Sequence, residues 1–213
     1  MTEIAPARQK KLFNQVLLLA LFTVFYNLIE GLISIYFGLK DETLTLFGFG
    51  ADSFVETISA IGVTHMIYRI QRNPDSHKGS FEVTALKITG WCFYVLALIL
   101  LVSAVYNVIE GHQPTSTLAG VIIALISILS MWLLVYLKIK LGKELNSDPV
   151  IADARCNLVC IYMSVILLVS SALWWLFKIP YIDAIGSLGL VYFSIQEGRE
   201  AHQKAKGIEC CSC

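Results

Sequence analysis

Six apolar stretches separated by short polar ones set the pattern of this chain, at roughly residues 12–37, 44–68, 84–109, 116–138, 150–175 and 181–197. Crossing a hydrocarbon core of about 30 Å takes about 20 helical residues, a length that all but the last stretch exceed comfortably. The last is short and polar at its end. A chain in lipid must satisfy its own backbone hydrogen bonds, which for runs of this length means the α-helix. The pattern predicts an all-α integral membrane bundle of six transmembrane helices. Its connections, "GLKDET", "QRNPDSHKGS", "GHQPTS", "KLGKELNSD" and "FKIPY", are short enough to make successive helices antiparallel neighbours. Asn73-Pro74-Asp75 and Gln113-Pro114 read as turns, and Ser147-Asp148-Pro149 reads as a helix start. The expected organisation is an N-terminal segment 1–11, a transport domain 12–198 and a Cys-rich tail 199–213 with no soluble C-terminal domain. No cleavable signal is expected, because "MTEIAPARQKK" leads straight into a full-length span.

Composition agrees, since 56% of residues are hydrophobic and 15% charged, against about 25% charged in soluble domains. Charge placement adds orientation. Arg8, Lys10 and Lys11, then Arg69, Arg72 and Lys78, then Lys138, Lys140 and Lys143, then Arg199, Lys204 and Lys206 fall on one set of connections, and only Lys40 and Lys178 on the other. By the positive-inside rule both termini face the cytoplasm, in a plasma or inner membrane. Cys210, Cys211 and Cys213 then lie on the reducing side as thiols. Nothing points to a nucleic-acid partner, and an enzyme is not expected, for want of a nucleophile–base pair, a phosphate loop or a cofactor fingerprint.

Against this apolar background the second span carries two acids. Asp52, Val55, Glu56 and Ser59 share one helical face by their i, i+3, i+4, i+7 spacing. On the fifth span Asp153, Cys156, Asn157 and Cys160 repeat that spacing. Glu56 and Cys160 should lie at similar depth near the bilayer centre. A carboxylate there costs about 2.5–3.5 kcal/mol on insertion scales, so a pair implies a compensating cation or protons. A thiolate favours Zn²⁺ and softer ions over Mg²⁺ or Ca²⁺, and two carboxylates with one or two sulfurs complete a tetrahedral zinc shell. Such ligands bind metal only when deprotonated, so loading releases protons and protonation releases metal. The expected metal residues are Asp52, Glu56 and Cys160, with Cys156, Asn157 and Asp153 as contributors. The rival readings are helix–helix hydrogen bonding for the acids, a small buried hydrophobe for Cys160, and for Asp153 a helix-start acid favoured by the dipole. Asn27, Glu30 and Asp183 read as structural polar groups ahead of proton relays, and His65 as a snorkelling or hydrogen-bonded residue ahead of a ligand. The tail "ECCSC" offers one carboxylate and three sulfurs in five residues, for capture of a soft cation by Cys210, Cys211 and Cys213 or for lipidation. Small residues, Gly48, Gly50, Ala51 and Gly62 on span two and Ala152 and Ala154 on span five, predict close approach of those two helices.

The stretches "YNLIEGLISIYFG", "FGADSFVETISAIG", "SHKGSFEVTALK", "YNVIEGHQP", "KELNSDPVIADARCNLVC" and "YIDAIGSLGLVYFSIQEGREA" together resemble the membrane domain of the cation diffusion facilitator, or cation efflux, family. Members usually place Asp or His where this chain has Val55 and Ser59, and His then Asp at Cys156 and Cys160, so the ordinary four-ligand zinc site is absent. The acids stand a turn earlier, at Asp52 and Glu56, as in a short branch of zinc-efflux proteins. The resemblance implies a homodimeric Zn²⁺/H⁺ antiporter working by alternating access, with Cd²⁺ or another soft divalent ion as alternative cargo and no cofactor. No stretch of this sequence is expected to form the family's usual cytoplasmic metal-binding domain, so dimerisation is expected to fall to membrane contacts. The competing class is a non-transporting metal sensor or accessory subunit that kept the fold.

Overall fold

The computed structural model of the chain describes residues 6–41, 43–72, 80–111, 113, 117–145, 147–178 and 181–207. Six α-helices account for nearly all of them: α1 (Pro6–Lys40), α2 (Leu44–Arg72), α3 (Ser80–Glu110), α4 (Leu118–Leu145), α5 (Asp148–Phe177) and α6 (Ile182–Ala205). Among the described residues there is no β-strand. The expectation of an all-α membrane bundle holds, and the protein is a multi-pass integral membrane protein. Five helices are long and apolar enough to cross a bilayer by composition alone. The sixth, α6, has 24 residues, about 36 Å at ~1.5 Å per residue. Its polar positions Asp183, Ser187 and Ser194 are buried against protein instead of lipid, which is why a hydropathy window undervalues it.

Cross-helix bonds fix the direction of five of the helices, all but α3. At one end of the bundle Arg8 at the start of α1 pairs with Glu144 at the end of α4, 3.6 Å, and Asn14 of α1 accepts from Gln71 at the end of α2, 2.9 Å. At the other, Asp183 at the start of α6 accepts from the backbone N–H of Leu44 and Thr45 at the start of α2, 2.7 and 3.1 Å. There too Thr117 donates to the carbonyl of Ser171 near the end of α5, 2.8 Å. The first of these we call the termini-bearing end. The helix start expected at residues 147–149 is present, with Ser147 extended at the N-cap and proline in the first turn.

Two expectations are corrected. Lys138 is not in a loop: α4 runs on to Leu145, and Lys138 is buried at 1% exposure. The reason is that Lys138 and Gly142 continue the stripe of Met131, Leu134 and Val135 into the bundle, while Leu141 and Leu145 pack beside Val16, Ile67 and Val150. A helix needs no unbroken hydropathy to continue, only a face to bury. The second correction concerns α2, whose tightest neighbour is α1 and not α5. A Cβ on Gly50 would come within 2.8 Å of Ser34 and of the Ile35 backbone, and one on Gly38 within 2.6 Å of Phe47. Gly31 and Gly38 of α1 thus answer the glycines of α2. Apolar burial cannot drive helices together in lipid, and close approach over small residues can.

Inside, Leu46, Phe49 and Val55 of α2 meet Phe93, Leu96 and Leu100 of α3, Met163 and Leu167 of α5 and Leu190 of α6. Phe25, Ile109, Leu129 and Tyr192 lie exposed on the outer surface, as expected for side chains facing acyl tails.

Candidate metal centre

At ~1.5 Å per residue Glu56 stands about 18 Å along α2 from Leu44, well inside the bundle. Its two oxygens have different partners. Oε1 accepts from Cys160 Sγ at 2.6 Å, across 104 residues of sequence. Oε2 accepts from Asn27 Nδ2 of α1 at 3.1 Å. One side chain therefore joins three helices. The antiparallel course of α2 and α5 makes the meeting possible, because residues counted from opposite ends reach the same depth.

Asp52, a turn from Glu56 on the same face, is buried at 2% exposure, and its Oδ1 has no hydrogen-bond partner among the described residues. Native interiors pair most buried polar atoms, so this carboxylate oxygen is one that a proton, a water or an ion could satisfy. Val55 is buried in the apolar core, which leaves the two acids as the polar edge of that face.

Around this pair lie polar groups that the sequence did not mark as part of a site. Glu30 of α1 is buried, accepting from Tyr26 Oη at 2.9 Å and Ser53 Oγ at 3.2 Å. Asn27 is buried with its Oδ1 unpaired. Glu197 of α6 is half-buried with Oε1 unpaired, within electrostatic reach of Asp52, Glu56 and Cys160. A signal for Glu197 existed in the stripe Asp183, Ser187, Ser194, Glu197, which keeps to one side of α6; single polar residues on separate helices gave none for their meeting.

The other α5 residues separate into two levels. Cys160 is buried, packed beside Met131 and Leu134, and in contact with Glu56. Asn157 is buried with Nδ2 unpaired. Asp153 lies two turns from Cys160, about 10 Å along the helix axis, and binds Lys138 Nζ at 2.8 Å. The Cys156 side chain, and Cys210, Cys211 and Cys213, lie outside the described residues. Among the described residues no three of His, Cys, Asp and Glu gather into one metal-binding group. The structure thus brings Glu56 and Cys160 into contact, leaves Asp52 one turn along, and sets Asp153 apart. Asp183 belongs elsewhere, since its carboxylate accepts the first N–H groups of α2.

These features define a helical membrane protein with an acid–thiol pair, Glu56 and Cys160, inside its bundle. The chain belongs to the cation efflux family, whose transmembrane domain matches residues 16–205. Among curated proteins it is similar to the manganese efflux system protein MneP of Bacillus subtilis (strain 168), 25% identical over 184 residues that cover 81% of this chain and 61% of that protein. The chain therefore spans about three fifths of the length of that relative.

Proposed function

We propose that this protein exports a divalent transition-metal ion across its membrane in exchange for protons, with Asp52, Glu56 and Cys160 as the core of the transport site. The observation that carries the reading is the 2.6 Å contact between Cys160 Sγ and Glu56 Oε1, beside a buried Asp52 with an unpaired oxygen. A sulfur and two carboxylates suit Zn²⁺ or Cd²⁺ better than harder ions. The relative named for manganese efflux favours Mn²⁺ as a second cargo, and the oxygen donors Asp52, Glu56 and Asn27 would suit it. Termini on the cytoplasmic side and a homodimer in the plasma or inner membrane complete the proposal.

Reconstitution into proteoliposomes tests it, with a pH-sensitive dye and a panel of Zn²⁺, Cd²⁺ and Mn²⁺. Wild type is expected to move at least one of these ions against protons, and Asp52→Ala with Glu56→Ala to lose that flux by a hundredfold or more, since both charged ligands go. Full flux from the double variant defeats the site assignment. Binding without flux in wild type favours a sensor or accessory subunit.

A further inference from the structure

Lys138 is the single Lys or Arg that is buried among the described residues. Its ammonium lies 2.8 Å from Asp153 Oδ2, with side chains 2% and 9% exposed. It is also within electrostatic reach of Glu56. The surroundings are acidic: Glu30, Asp52, Glu56 and Glu197 all lie within electrostatic reach of one another's cluster. Replacing a buried ion pair with apolar residues of similar volume is often neutral or stabilising, so a pair of this kind in a bundle well supplied with apolar side chains calls for another explanation. Position supplies one. Asp153 lies on the stripe that leads through Asn157 to Cys160, about 10 Å nearer the termini-bearing end, so the pair stands between the candidate centre and that end.

We propose that Lys138 is a tethered counter-cation of the transport site: its ammonium holds Asp153 and offsets the charge of Glu56 whenever no divalent ion is bound, and an ion passing between the termini-bearing end and the centre displaces it. This rests on the transport reading above and extends it with a specificity-determining residue. The ammonium weakens binding enough for release, and it sets a threshold that a singly charged ion, no stronger than the tether itself, does not pass. A divalent ion passes it because its double charge outcompetes one ammonium at a carboxylate.

The test is Zn²⁺ titration calorimetry on the purified full-length protein. Lys138→Gln keeps a hydrogen-bond donor for Asp153 and removes the charge. It is expected to bind Zn²⁺ at least about tenfold more tightly, the order expected from removing one unit charge near the site, and Lys138→Arg to restore the weaker wild-type affinity. An unchanged Kd in Lys138→Gln overturns the inference while leaving the transport reading intact, because wild type still binds. Wild-type protein that binds none of Zn²⁺, Cd²⁺ and Mn²⁺ overturns both; where it binds one of the other two and not Zn²⁺, the same variants are compared with that ion. Should Lys138→Gln fail to fold, Asp153→Asn decides: the released ammonium then faces Glu56, and affinity is expected to fall at least about tenfold. An unchanged Kd there, with only thermal stability altered, marks the pair as structural and ends the proposal.

Discussion

Cys160 is where the chemistry of a single atom matters most. Its sulfur lies against Glu56 Oε1, so removing it should alter which metals bind more than how well the protein folds. Cys160→Ser is expected to weaken Cd²⁺ binding by about tenfold or more and Mn²⁺ binding by less than about threefold, since thiolate selects soft ions and hydroxyl does not. Competition between the two ions on purified protein measures this, and an equal loss for both would place the sulfur outside the metal shell. Asp52 and Glu56 were legible in the sequence because an acid in an apolar run is costly enough to demand a reason. Asn27, Glu30 and Glu197 were not, because each is a lone polar residue on its own helix. Only packing places Asn27 3.1 Å from Glu56, and only packing gives Glu30 its bonds to Tyr26 and Ser53.

Helix ends tell a similar story. The N-terminus of α2 has no acidic residue of its own in its first turn, and its orphan N–H groups are taken by Asp183, 139 and 138 residues away in sequence. Thr45 returns a bond to the carbonyl of Asp183 at 2.7 Å. Asp183→Ala should therefore destabilise the α2–α6 junction by roughly 1–3 kcal/mol, the cost of leaving buried donors unpaired. Thermal unfolding in detergent reads this out, with Zn²⁺ affinity expected to change little; unchanged unfolding would show that water replaces the carboxylate without loss. The existence of six helices was plain from the apolar pattern, and their limits were not. Hydropathy stops at the first charge, whereas α4 continues through Lys138 because the next two turns still have a buried face. Likewise the glycines of α2 announced a close neighbour, and the small residues of span five pointed to the wrong one. The matching Gly31 and Gly38 of α1 decided it.

For the molecule as a whole the proposed site would couple metal to protons. The hydrogen bond from Cys160 to Glu56 contains a proton that a metal ion bound to that sulfur must displace, because only the thiolate ligates. Zn²⁺ titrations in two buffers of different ionisation enthalpy are expected to show at least about one proton released per ion. The sign follows: binding consumes the deprotonated form, so apparent affinity rises with pH and is lost as pH falls. No net release would defeat proton exchange at this site.

By itself the sequence determined the class of solvent, the number of helices, their alternating direction and the two faces on which acids and sulfur stand. Each of these follows from local cost: apolar length against hydrocarbon thickness, short connections, and the price of a charge in lipid. The tertiary structure alone decided that α1 seats on α2, that Glu56 joins α1, α2 and α5, and that the lysine expected in a loop is sealed against Asp153. Those are choices among partners, and partners are selected by shape and by pairing across long stretches of chain, which no local pattern encodes.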